Sequence, residues 1–91
     1  MGKGKNLINR ALSSVQIPMD IALRLPNIEI TGNRQVYIEN YKSILEYESG
    51  IIRLKLKNMQ MIIEGKNLVI DYYTQENMLI TGSIKSIKFA S

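Results

Sequence analysis

From Pro26 onward the chain alternates between apolar and polar positions. Ile28 and Ile30 alternate with Glu29 and Thr31, and Val36 and Ile38 with Tyr37 and Glu39. Ile52, Leu54 and Leu56 alternate with Arg53, Lys55 and Lys57. Leu68, Ile70 and Tyr72 alternate with Val69, Asp71 and Tyr73. A period of two sends every second side chain to one face of a strand, so each run offers one face to a core and a mixed face to water. The abundance of Ile and Tyr suits a pleated surface. The pattern predicts strands over 28–31, 35–40, 43–48, 51–57, 59–64, 67–73, 78–81 and 84–89.

The joints between these runs carry turn chemistry. Gly32-Asn33, Gly65-Lys66 and Gly82-Ser83 each place Gly first in a Gly-X pair. That is the signal for a two-residue type II′ hairpin, because Gly takes a positive φ at no steric cost. Ser49-Gly50 marks a fourth turn, and Thr74-Gln75-Glu76-Asn77 is the longest polar break. Met59, Met61 and Ile63 share one face while Ile62 lies opposite, which marks that strand as central. Ile84 and Ile87 lie three apart, so a bulge near Lys85-Ser86 is needed to keep both facing inward.

Before Pro18 the spacing is helical. Leu7, Ile8, Ala11, Leu12 and Val15 fall on one side, with Asn6, Asn9, Arg10, Ser13 and Ser14 on the other. Pro18 stops this helix. So short a helix is marginal alone in water and must dock on the domain, a partner or a membrane. The predicted fold is all-β: a small antiparallel β-sandwich or rolled sheet of about eight short strands, preceded by one short N-terminal amphipathic helix. Residues 1–24 form a basic N-terminal segment and 25–91 the β-domain. A β-solenoid is the lesser alternative, since the glycines at 32, 50, 65 and 82 recur at unequal steps.

Composition removes most catalytic chemistry. The 91 residues include no Cys, no His and no Trp. Thiolate nucleophiles, Cys/His zinc sites and imidazole-dependent triads are excluded. No phosphate-binding glycine loop appears. No cofactor is expected, and an enzyme would have to work with Asp, Glu, Lys, Tyr and Ser, which nothing in the sequence clusters. The longest apolar run is too short to span a bilayer. No secretory signal is evident, so the expected compartment is the cytosol. A β-domain of this length draws only ~3–5 kcal/mol from its own core. Packing of the helix on the sheet, or homo-oligomerisation, is therefore expected.

The net charge of +4 is concentrated at the start of the chain. Residues 1–24 carry Lys3, Lys5, Arg10 and Arg24 against Asp20 alone. Lys3, Lys5 and Arg10 with Leu7, Ile8, Leu12 and Val15 are the candidates for peripheral membrane or partner contact. Each cation is worth roughly 1 kcal/mol near an anionic surface, so such contact is weak and salt-sensitive. Tyr37, Glu39, Asn40 and Tyr41 are the candidate protein-interaction surface; Glu39-Asn40-Tyr41 reads equally as a turn, since Asn tolerates left-handed geometry. Arg53, Lys55 and Lys57, with Lys42, Lys66, Lys85 or Lys88 and the tyrosines, outline an aromatic-basic nucleic-acid platform. The stronger reading is a solvated face balanced by Glu39, Glu46 and Glu48. Glu46 and Glu48 read as a solvated face rather than a carboxylate pair.

Particular stretches resemble a known family. They are Leu25-Pro26-Asn27-Ile28, Val36-Tyr37-Ile38-Glu39-Asn40-Tyr41, Ile44-Leu45-Glu46-Tyr47, Ile52-Arg53-Leu54 and Ile63-Glu64-Gly65-Lys66-Asn67-Leu68, with the ending Ile80 to Phe89. Over residues 17–89 the chain resembles the YabP/YqfC family of sporulation proteins, nearer the YqfC branch. Ser43 stands where many members would carry Gly. The resemblance implies a β-sandwich made in the mother cell during endospore formation, with a role in forespore engulfment, cortex or coat development. It implies a protein partner, a sporulation membrane protein encoded nearby, and no catalytic residue. The expected function is thus a non-enzymatic assembly or adaptor factor. The alternative is a basic-tail nucleic-acid-binding or general membrane-surface adaptor domain.

Overall fold

The computed structural model describes residues 25–91. Six strands follow one another: β1 Asn27–Thr31, β2 Gln35–Glu39, β3 Ser43–Glu48, β4 Ile51–Leu56, β5 Met59–Tyr73 and β6 Asn77–Ala90. All pairings are antiparallel, in one sheet of order β1-β2-β6-β5-β4-β3. The all-β, antiparallel expectation holds among the described residues, and so does the central position of the strand containing Met61. The expected N-terminal helix lies outside the described residues.

Eight strands become six because two glycine joints are not turns. Residues 59–64 and 67–73 are one strand, as are 78–81 and 84–89. At Gly65-Lys66 and Gly82-Ser83 the paired strands β5 and β6 pass each other with shifts of register. Gly there answers a close approach instead of a reversal. A Cβ on Gly65 would collide with the Ser83 carbonyl; on Gly82 (φ 142°) it would sit 2.7 Å from the Asn67 oxygen. The reversal expected between 57 and 59 is present and runs through an Asn. Leu56 pairs with Met59 across a two-residue turn in which Asn58 takes φ 64°. The joint at Gly32 spans residues 32–34, with Arg34 N donating to Thr31 O at 3.1 Å.

The two outer hairpins seat on these glycine crossings in matching ways. Gly65 N donates to Gly50 O (3.1 Å) and Leu68 N to Ser49 O (2.9 Å), lodging the β3–β4 turn on β5. Gly82 N donates to Arg34 O (3.1 Å) and Ile84 N to Asn33 O (2.8 Å), lodging the β1–β2 turn on β6. The sheet is thereby divided into two arms. One holds β1, β2, residues 77–81 and residues 69–73; the other holds β3, β4, residues 59–64 and residues 84–90.

The arms roll together around one apolar face. Val36, Ile38, Met78 and Ile80 from the first arm, and Ile52, Leu54, Leu56, Met61 and Ile63 from the second, are fully buried in one cluster. Edge strand β3 reaches back to the far half of β5, where Ile70 N donates to the Tyr47 hydroxyl at 3.0 Å. The bulge expected near Lys85-Ser86 is present: Glu64 pairs with Ser86 and Gly65 with Ile84, leaving Lys85 unopposed. Ile84 and Ile87 therefore both face the core, Ile84 buried and Ile87 packed against the cluster.

Candidate interaction surface

Alternation in the first arm leaves a second, outward set of side chains. Glu29 lies opposite Tyr37, Tyr37 opposite Leu79, and Leu79 opposite Tyr72. These four form one row across β1, β2, β6 and β5. Cross-strand neighbours on one face lie ~4.5–5.5 Å apart at Cβ, so the row is a continuous surface. Tyr72 is 50% exposed and neighbouring Val69 45%. Segments 27–31, 35–39, 69–73 and 77–81 contain Glu29, Glu39 and Asp71 and no Lys or Arg. The result is an apolar, aromatic centre in an acidic frame.

Glu39 is held in place. Its Oε1 accepts from Asn27 Nδ2 at 3.0 Å and its Oε2 from the Tyr37 hydroxyl at 3.4 Å. Partial burial, then the Glu39 carboxylate, push the Tyr37 phenol above its usual range. Burial, then Tyr73, do the same to Tyr41. Both phenols stay protonated at neutral pH and act as hydrogen-bond donors.

Of the four residues expected on one surface, two face outward and two form a corner. Tyr37 and Glu39 belong to the outer row and its rim. Asn40 takes φ 67°, as the turn reading requires. Its N donates to Glu76 O at 2.7 Å and its Nδ2 to Leu25 O at 2.9 Å. Tyr41 then turns inward, 8% exposed, and its hydroxyl donates to Thr74 O at 2.6 Å. Leu79 is not singled out by sequence, and Tyr72 only as one tyrosine of a nucleic-acid platform, because only the pairing of β6 with β2 and β5 brings them beside Tyr37. Lys3, Lys5, Leu7, Ile8, Arg10, Leu12 and Val15 lie outside the described residues.

The second arm carries both signs of charge instead. Arg53 pairs with Glu46 at 3.2 Å and Lys88 with Glu64 at 3.5 Å. Ser86 Oγ adds a donation to Glu64 at 3.1 Å. The basic strand face and the tyrosines do not share a surface: Tyr37 and Tyr72 lie on the other arm, Tyr41 is buried, and Tyr47, though on neighbouring β3, stands opposite Ile52 on the face away from Arg53. Glu46 is committed to Arg53, and Glu48 lies opposite Ile51. Among the described residues no His, Cys, Asp and Glu group could hold a metal. Among the same residues, no helix is long and apolar enough to cross a membrane.

Comparison with known proteins adds two findings. The model of the YabP family matches residues 24–91. The chain is 37% identical, over 90 residues, to the uncharacterized protein YqfC of Bacillus subtilis (strain 168), a match covering 98% of this chain and 97% of that protein. No solved structure matches.

Proposed function

The chain belongs to the YabP family, and from that premise we propose that it serves endospore formation as a non-enzymatic assembly or adaptor protein. It works in the mother cell, on the cytoplasmic side of the forespore, in forespore, cortex or coat development. Its partner is a protein, in the simplest case a sporulation membrane protein encoded nearby. The observation that carries this reading is the Tyr37–Leu79–Tyr72 row in its frame of Glu29 and Glu39. Aromatic residues are enriched at the cores of protein interfaces, and a framing charge selects the partner's sign. A segment with apolar and basic side chains fits this face. The N-terminal residues Lys3, Lys5, Leu7, Ile8, Arg10, Leu12 and Val15 add peripheral attraction to anionic lipid.

A C-terminal fluorescent fusion in a sporulating host tests the reading. The fusion is expected to form a ring around the forespore only after sporulation begins. A Tyr37→Ala, Leu79→Ser, Tyr72→Ala variant is expected to stay diffuse at unchanged abundance. Diffuse wild-type signal in vegetative cells overturns the sporulation role, and a ring unaffected by the triple change overturns the assigned face. Deleting residues 1–16 is expected to abolish pelleting with anionic liposomes. A full-length chain that never pellets rejects the lipid contact alone.

A further inference from the structure

One cavity is left unused by the adaptor reading. It lies where the β1–β2 turn meets the glycine crossing of β6, and it holds about 440 Å³. Arg34, Gln35, Asn67, Thr81, Gly82 and Ser83 line it. That volume falls in the ~300–1,000 Å³ range of small-molecule sites.

The walls come from three stretches of chain whose backbone is fixed before any ligand arrives. Gly82 N is bonded to Arg34 O at 3.1 Å and Ile84 N to Asn33 O at 2.8 Å, which pins the turn to β6. Asn67 takes φ 53° and its carbonyl lies too close to Gly82 to admit a Cβ. A preformed backbone of this kind loses little conformational freedom on binding, so the ordering cost falls on the side chains alone.

The formal charge of the lining is one-sided. Arg34 brings a permanent cation and a fork of N–H donors. Gln35 and Asn67 bring carboxamide N–H groups, and Thr81 and Ser83 bring hydroxyls. No carboxylate lines the wall. None of these five side chains bonds to another described residue. Lys66 stands opposite Ser83 in the ladder and places a second cation beside the site.

We propose that this cavity binds a phosphoryl anion, either a soluble phosphate or the phosphate of a lipid headgroup. The Arg34 fork takes two oxygens, and the hydroxyls and amides take the others. A planar carboxylate would occupy the fork and leave the remaining donors unmatched. The site needs no protein partner, so this inference and the adaptor reading stand or fall separately.

The test is a titration of the isotopically labelled full-length chain with inorganic phosphate, read by amide NMR at constant ionic strength against a chloride control. Saturable shifts are expected at Arg34, Asn67, Gly82 and Ser83. Arg34→Gln is expected to weaken binding by about tenfold or more, since one charge-assisted hydrogen bond of the fork's two already accounts for that factor. Ser83→Ala should weaken it by a smaller factor, and thermal melting of both variants checks that the fold is kept. Superimposable phosphate and chloride spectra overturn the proposal, as do Arg34→Gln and Ser83→Ala variants that titrate like the parent. The source is then decided with vesicles of phosphatidic acid beside vesicles of phosphatidylcholine. Arg34-dependent pelleting with phosphatidic acid alone assigns the lipid headgroup. Phosphate-induced shifts without such pelleting assign a soluble phosphate.

Discussion

The hydroxyl of Tyr41 donates to the carbonyl of Thr74 at 2.6 Å, tying the crossover between β2 and β3 to the loop between β5 and β6. That loop is also organised from within, since Thr74 Oγ1 accepts from Asn77 N at 2.9 Å and Glu76 N at 3.2 Å. Tyr41→Phe is expected to keep the fold and cost about 1 kcal/mol, because Thr74 is exposed and water can replace the lost donor. Urea denaturation of the pair, with an unchanged m-value, is the measurement.

The same phenol sets an alkaline limit. Its folded-state pKa lies above that of an unfolded Tyr, chiefly through burial. The protonated form is the one the fold favours. Stability from this group is therefore complete below about pH 10 and falls as pH rises through the folded pKa. Chemical denaturation from pH 8 upward should show this decline in the parent, and a shallower one in Tyr41→Phe.

The glycine crossings predict a sharp contrast among three substitutions. Gly65→Ala drives a methyl into the Ser83 backbone, and Gly82→Ala meets Asn67 at 2.7 Å with a positive φ besides. Each should cost more than ~3 kcal/mol or prevent folding. At Gly50 the nearest atom to an added Cβ is 3.9 Å away and φ is not positive. Gly50→Ala should stay within ~0.5 kcal/mol of the parent. Thermal melts of the three variants side by side decide it.

Arg53 is paired and yet imperfectly satisfied. It meets Glu46 at 3.2 Å, but its Nε is buried with no hydrogen-bond partner. The ion pair is more than a third exposed on both sides, so Glu46→Gln should cost under ~1 kcal/mol. Arg53→Met removes the orphaned donor while keeping much of the apolar stem. It should leave stability unchanged or raise it by up to ~1 kcal/mol. Equal, large losses in both variants would contradict this account.

Much of the architecture was legible because burial in a sheet writes a period of two into the chain. Ile52, Leu54 and Leu56 gave β4 and its inward face, and all three are fully buried. The uneven spacing of Ile84 and Ile87 gave the bulge at Lys85. What failed was the reading of Gly65 and Gly82. A Gly demanded by a crossing strand and a Gly demanded by a turn look alike locally; the difference lies in Ser83 and Asn67, which touch them across the sheet. Asn58 and Asn67 likewise take positive φ without a neighbouring signal. At the candidate surface, Tyr37 and Glu39 were visible as outward positions. Leu79 was not, because β2 meets β6 only through a pairing between distant parts of the chain; Tyr72 alternates with Leu68 and Ile70 as if inward, and the register shift between Ile70 and Tyr72 turns it out.

That distant pairing also sets a schedule for folding. β1–β2, β3–β4, β4–β5 and β5–β6 each join strands that follow one another, whereas β2–β6 joins the first hairpin to the last strand. Val36 can meet Ile80 only after β3, β4 and β5 have been synthesised. Closing so long a loop costs entropy before any contact returns it, so this seam carries the largest closure cost of the five pairings. Until it closes, the bonding edge of β2 stands bare beside an apolar face, open to a wrong strand from another copy. The interval between making β2 and making β6 is therefore the window in which this small protein is vulnerable to aggregation.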